Sequence, residues 1–300
     1  MRKKLLVVAA SIFLAITARS EQDTVVVKYE PVLGIYLLQY TAGGITYIDT
    51  LEPATKIDPF VVCYIRKLIP GRYVYSYVVS LSTSSKQCLS SFKVAHPAPI
   101  ENPSKPNERW LQREFAQYGV WSWTNSLMDP SGLWTGTTDI GPGESLSGFS
   151  FESTGLPTIV ESYFEGNAAL LAFSAEPPSE MDQILDTLLT FPRNTLIQYT
   201  IGPSTPPSPF IPVAFLDTLI SYKHQAFTLG WIANQGILQS LDAKLENAKA
   251  QLQRNNITSA RNILQSFLNE VEALNKKGDQ ITSEAYALLK FNAEYLVSKL

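Results

Sequence analysis

The chain has little of what catalysis and metal binding usually draw on. Only two histidines, His96 and His224, occur in 300 residues. Neither has a ligand-type neighbour at a zinc spacing, and no His-Glu-x-x-His motif is present. His96 sits at the edge of a Pro-rich loop and His224 beside Lys223, so both read as packing or surface residues. No Gly-rich phosphate loop occurs. "GESLSG", residues 143–148, approaches a nucleophile elbow, but Ser147 stands where the second Gly is needed and the context is strand alternation. These absences lead us to expect no catalytic residue, no metal and no cofactor.

Cysteine is equally scarce. Cys63 and Cys88 lie in the strand-like stretches "FVVCYIRKL" and "KQCLSSFKV". Their spacing excludes a Cys-x-x-Cys redox motif. In an oxidising compartment they could form a disulfide, provided the fold brings their Cα atoms within about 7 Å. The other reading is two buried thiols acting as small hydrophobes.

Long apolar runs are missing too, with one exception. Leu5 to Ala18 is an apolar run that follows Arg2, Lys3 and Lys4 and precedes the small residues of Ala18-Arg19-Ser20. That is the pattern of a secretory signal peptide over residues 1–20, with a mature chain starting near Glu21. No later segment suits a membrane span. Without residues 1–20 the chain holds 20 Lys+Arg against 27 Asp+Glu, a net charge of −7. A mildly acidic chain with no basic stripe is a poor nucleic-acid binder. The expectation is an exported protein: periplasmic, on the cell surface or secreted.

What the chain does have falls into two compositions. Residues 21–202 are aromatic and β-branched, with many short alternating runs separated by Pro and Gly. "GRYVYSYVVSLS" is the clearest, with Tyr73, Tyr75, Tyr77, Val79 and Leu81 on one face. "FVVCYIRKL", that strand and "CLSSFKVAH" read as a three-strand meander. Gly148 inside "SLSGFSF" suggests a bulge or a close backbone approach. "PPSEMDQILDTLLT" suggests a short helix near 180–190, capped by Ser179. Many short strands with turns between them favour an antiparallel β-sandwich-like domain.

The Pro-rich stretch 203–212 reads as a linker between two separable parts. Beyond it, residues 213–300 read as an α-helical bundle, making the whole α+β. Leu238, Leu241, Leu245, Ala248 and Leu252 recur in steps of three and four, as do Ala260, Leu264, Phe267, Val271 and Leu274. Asn255-Asn256 and Gly278 mark exits; Thr258 or Ser259, and Thr282, mark entries. The stretch "SLDAKLENAKAQLQRNNITSARNILQSFLNEVEALNKKGDQITSEAYALL", residues 240–289, resembles the FIMAH-type helical module. That family occurs at or near the C-terminus of many exported bacterial proteins. The resemblance implies a compact helical appendage without established catalytic residues. The N-terminal part, with "VWSWTNS" and "IGPGESLSGFSF", resembles β-rich regions of poorly characterised exported bacterial proteins.

Two groups of residues bear on function. Trp121, Trp123 and Trp134 are the candidate ligand-binding residues, because flat aromatics beside polar loop groups stack on sugars; their other reading is a sandwich core. Glu152, Glu161 and Glu165 offer carboxylates for hydrolysis, and Asp129 and Asp139 offer loop oxygens for a cation. The sequence therefore points to a non-catalytic binding or structural protein of the bacterial envelope or exterior. Its partner would be a glycan or an envelope protein. A carbohydrate-binding accessory protein and a hydrolase are the alternatives.

Overall fold

A computed structural model describes residues 25–69, 71–125 and 140–300. The signal-peptide reading of residues 1–20, Trp134, Asp129 and Asp139 lie outside them. In chain order the elements begin with β1 (Val26–Glu30), β2 (Ile35–Ala42) and β3 (Ile45–Leu51). There follow β4 (Pro59–Ile69), β5 (Arg72–Leu81), β6 (Leu89–Ala95), β7 (Glu101–Ser104), β8 (Trp110–Phe115) and β9 (Val120–Asn125). Then come β10 (Ser145–Ser153), β11 (Leu156–Gly166), α1 (Glu180–Leu189) and β12 (Leu196–Ser204). The chain continues through α2 (Pro212–Thr228), α3 (Gln235–Gln253), α4 (Ile257–Lys277) and α5 (Ser283–Lys299). The fold is α+β.

Among the described residues the strands form three sheets, each antiparallel. The sandwich consists of a four-stranded sheet, β4-β5-β10-β7, and a five-stranded sheet, β12-β11-β6-β9-β8. Alternation decides which side chains meet between them, because successive residues of a strand point to opposite faces. Tyr73, Tyr75, Tyr77, Val79 and Leu81 are all buried, while the intervening residues of β5 are half-buried on the other face. Phe149 and Phe151 from β10, Phe92 and Val94 from β6, and Phe164 from β11 fill the same core. Two phenols satisfy themselves within it: Tyr75 donates to the Gly155 carbonyl (2.8 Å) and Tyr77 to the Ile201 carbonyl (2.9 Å).

The expected meander stops after two strands. β4 and β5 pair, but the chain then crosses to the other sheet, where β6 lies between β11 and β9. β10, 64 residues after Leu81, takes the place beside β5. The apolar face of β6 explains the crossing: Leu89, Phe92 and Val94 are fully buried and oppose the β5 tyrosines across the core. Gly148 does sit at a bulge, where the register of β10 against β5 shifts between Ser147 and Phe149. Its φ is +106°, and a Cβ there would stand 2.9 Å from the Pro106 backbone. Only glycine fits both conditions.

β1, β2 and β3 form a small satellite sheet. It buries Leu38, Tyr40 and Leu51 against Met181 and Ile184 of α1, in a cluster of its own. α1 belongs to an excursion, residues 167–195, between the paired strands β11 and β12. The helix forms where expected, but Ser179 makes no capping bond. Its hydroxyl donates to Glu180 instead.

The helical end follows its sequence closely. Pro212 occupies the first turn of α2, where a missing N–H costs nothing. Asn234 caps α3 by accepting from the Ile237 N–H, and Thr282 caps α5 by accepting from the Ala285 N–H. Asn255 leaves α3 at φ 56° and Gly278 ends α4 at φ 79°. Asn256, rather than Thr258 or Ser259, caps α4 by accepting from the Ser259 N–H. An Asn this close to the exit of α3 ends one helix and starts the next.

The core does not stop at the Pro-rich stretch. One apolar cluster runs from Tyr75, Phe92 and Trp123 to Leu241, Phe267 and Leu288. Within the stretch, Phe210 packs against Phe215 (5.3 Å between ring centroids) and Tyr295 (5.5 Å). β4 and β12 are edge strands of their sheets, joined where Gln198 donates to the Pro59 carbonyl (2.6 Å). α5 lies across this edge. Glu284 Oε1 accepts from the backbone N–H of Cys63 on β4 (2.8 Å). Asn292, the polar break in the α5 stripe, donates to the Pro157 carbonyl on β11 (2.8 Å) and to the Leu288 carbonyl. Tyr73 and Phe291 meet at 5.2 Å. A bare sheet edge invites pairing with another chain, and a covering helix prevents it.

Candidate functional site

Trp121 and Trp123 point into the sandwich. Trp123 is fully buried and lies nearly parallel to Phe92 (5.5 Å, 9°) and Phe151 (6.1 Å, 4°), so its ring fills the space between the sheets. Its indole N–H donates to the Ser104 carbonyl (2.8 Å). A ring with no face toward solvent cannot stack on a sugar, so Trp123 is corrected to a core residue. Trp121 shares that face but lies nearer the end of the sheet and is half-buried, 6.5 Å from Trp123.

The cysteines stay apart. Cys63 on β4 is buried and Cys88, just before β6, is half-buried; both are free thiols. Of the two readings, the structure holds free thiols: Cys63 lies on the four-stranded sheet and Cys88 in the loop that leads into β6 of the other. Burial pushes the Cys63 thiol well above its usual range, the charge of Glu284 adds to this, and a hydrogen bond with Tyr77 opposes it. Cys63 is thus held protonated and inert.

The three glutamates are distributed over two sheets. Glu152 on β10 pairs with Arg72 (3.2 Å), which also binds Glu101. Glu161 accepts from the Tyr163 hydroxyl (2.5 Å). Glu165 pairs with Lys93 (2.7 Å). His96 places Nδ1 3.3 Å from the Ala98 carbonyl and Nε2 3.6 Å from Glu114. His224 is exposed on α2 with Nε2 3.4 Å from Asp242, which also contacts the buried Lys223. Ser145 opens a strand, not a helix, and donates to Ser80 Oγ (2.6 Å).

The informative surfaces are the two outer faces of the sandwich, which differ at their centres. On the five-stranded sheet, Lys93 of β6 is buried at the centre. Its Nζ donates to Ser91 Oγ (2.7 Å), pairs with Glu165 and lies 5.4 Å from the centroid of the Phe191 ring. Burial lowers the Lys93 pKa, Glu165 opposes the shift and Arg113 adds to it. Phe191 comes from the 167–195 excursion and also packs on Tyr118 (4.9 Å) and Tyr163 (4.8 Å). The centre of this face is covered, while Leu111 on β8 and Ile197 and Tyr199 on β12 stay exposed at its flanks.

The four-stranded sheet presents the opposite case. Its outer face is built in rows by the strand registers. Phe60 lies opposite Ser80 and Ser145; Val62 opposite Val78 and Ser147; Tyr64 opposite Ser76 and Ser150. Phe60 is 39% and Tyr64 55% exposed, and Ser145 and Ser147 are exposed as well. Charge is confined to the next row, where Arg66, Val74 and Glu152 align and Arg72 holds Glu152. From sequence, "FVVCYIRKL" reads as a strand whose faces stay unassigned, so this surface was not singled out. The signal was the pairing of Phe60 and Tyr64, four residues apart, with a partner strand that alternates Tyr against Ser and Val.

A third surface lies between α4, α5 and β4. It is a shallow cleft of about 420 Å³ lined by Lys67, Leu268, Glu272, Glu294 and Val297 among others. Its charges are spent within it: Lys67 on Glu294 (3.2 Å) and Glu272 on Lys290.

The architecture defines a class: a β-sandwich whose open edge is sealed by a C-terminal helical module. The FIMAH domain family matches residues 224–298, from within α2 to within α5. That region is the helical module itself, and the match points to an exported bacterial protein. No curated protein matches the chain. No helix of the described residues is long and apolar enough to cross a membrane.

Proposed function

We propose that the protein is an exported, non-catalytic binding protein of the bacterial envelope or exterior, with the helical module bracing the sandwich. The observation that carries this reading is the contrast between its charged groups and its open sheet face. Glu152, Glu161 and Glu165, the acids that hydrolysis would need, are each engaged by a structural partner (Arg72, Tyr163 and Lys93), and Glu152 lies on the other sheet from the two on β11. A glycosidase needs two carboxyls facing one bond. The outer face of β4, β5 and β10, by contrast, leaves aromatic rings and hydroxyls exposed to solvent.

Cell fractionation of the native host, combined with binding and turnover assays on envelope polymers, tests the proposal. The full chain is expected outside the cytoplasm and is expected to bind without releasing product. Cytoplasmic accumulation, or turnover that Glu165→Gln abolishes, would overturn it.

A further inference from the structure

We infer that the outer face of the four-stranded sheet is a binding platform for a neutral polysaccharide chain, centred on Tyr64, Ser76 and Ser147. The inference rests on the binding reading above and names the ligand class that would occupy it.

Shape is the first argument. Three long strands place their outward residues in rows. Two residues along a strand advance about 6.6 Å and neighbouring strands stand about 4.8 Å apart. Phe60 and Tyr64 are thus roughly 13 Å apart on one edge, longer than a single pyranose ring. A surface of this kind suits an extended chain lying across it rather than a small molecule that needs enclosure.

Chemistry is the second. The two exposed rings offer apolar faces to the C–H surfaces of sugar rings, and Tyr64 adds a hydroxyl. Beside them run five serine hydroxyls: Ser76 and Ser80 on β5, and Ser145, Ser147 and Ser150 on β10. A hydroxyl is both donor and acceptor, which matches the hydroxyls of a glycan. Ser80 and Ser145 are already joined at 2.6 Å, so the pair presents one fixed orientation.

Charge is the third. Within the three rows from Phe60 to Ser150 no side chain is ionisable apart from Tyr64. Arg66 lies at one end, and Glu152 shares Arg72 with Glu101 beyond the rows. An anionic polymer would find no run of cations here. A folded protein partner would have to bury the serine hydroxyls, each at a cost unless it is paired again. A hydroxylated, uncharged chain fits all three features.

The test is affinity electrophoresis and equilibrium binding of the full chain to neutral glucans, xylans and mannans, with alginate as the anionic control. The variants are Tyr64→Ala, Phe60→Ala, Ser147→Lys and, as a comparison away from the face, Trp121→Ala. Retention by at least one neutral polysaccharide is expected, with Kd weakened on the order of tenfold by Tyr64→Ala. Ser147→Lys, which crowds the hydroxyl lane, should weaken it as well. Thermal unfolding of each variant separates lost contact from lost fold, because outward residues of a strand carry little of the core. Neutral-glycan binding that survives Tyr64→Ala and Ser147→Lys but is lost with Trp121→Ala overturns this face while leaving the binding reading intact. Preference for alginate, or no retention by any of the polymers, overturns the ligand class. Turnover of a bound polymer would instead overturn the non-catalytic reading.

Discussion

The helical module and the sandwich share one core but reach it by opposite routes. In α3 and α4 each buried residue lies three or four positions from the next, so the apolar face is local in the chain. In the sandwich, Tyr77, Phe92, Trp123 and Phe151 meet although they span 75 positions. The difference shows that local regularity does not measure independence. The most regular part of the chain is fastened to the least regular by Glu284, Asn292 and Phe291.

Four outcomes would break or sharpen that comparison, from the largest expected effect to the smallest. Ending the chain at Ser204 removes α5 from the β4–β12 edge. The remaining sandwich should aggregate, because an uncovered edge and its apolar surroundings are exposed together. Size-exclusion chromatography checks this, and a stable monomer with unchanged β circular dichroism would show that the parts are separable after all. Next, Phe267→Ala should destabilise the full chain by about 3–5 kcal/mol, since the ring is fully buried between helices. Denaturant unfolding should show a lower midpoint for the sandwich as well as for the helices if the core is continuous.

The third change acts on the joint alone. Glu284→Ala leaves the buried Cys63 N–H without its acceptor and should cost about 1–3 kcal/mol. Glu284→Gln retains an acceptor and should recover most of that loss in the same measurement. The fourth concerns the satellite sheet, which has a separate cluster. Burial tends to raise the pKa of Asp49, but hydrogen bonds from the Ser174 side chain and backbone and from Tyr40 outweigh it and hold the pKa below the usual range. A depressed carboxylate adds stability above its unfolded pKa of about 3.9, and that stability is lost as pH falls through the lower folded value. The satellite should therefore loosen below about pH 4, ahead of the main body. Hydrogen exchange across residues 36–49 and 173–188 reads this directly, and Asp49→Asn should remove the acid-dependent step.

The helical end was legible in sequence because its determinants are short-range. Leu241, Leu245, Leu264 and Phe267 announce a face, while Asn234, Thr282 and Gly278 announce where helices start and stop. In the sheets, alternation showed which residues of β5 face inward and where Gly148 interrupts β10. It could not show that β10 rather than β6 stands beside β5, because a strand pattern specifies a face and not a neighbour. The candidate site was misread for the same reason. Trp123 and Tyr64 both sit in aromatic alternating strands, and only the position of the second sheet decides that one is sealed and the other open. The satellite cluster was invisible because it joins residues 25–51 to an excursion more than a hundred residues later.

The contact between Glu284 and Cys63 also sets an order of events. The two residues are 221 positions apart, and α5 follows every described strand in the chain. During vectorial delivery of the chain, the sandwich strands are present before the helix that shields their edge. The interval between those arrivals is when an unpaired β4 is most open to association with another chain. A helper protein that shields such edges, or a rapid collapse of α2–α4 that brings α5 into place, would shorten it. α5 thus covers the sandwich edge only after every described strand has been delivered, and folding yield should depend on its sequence more steeply than equilibrium stability does.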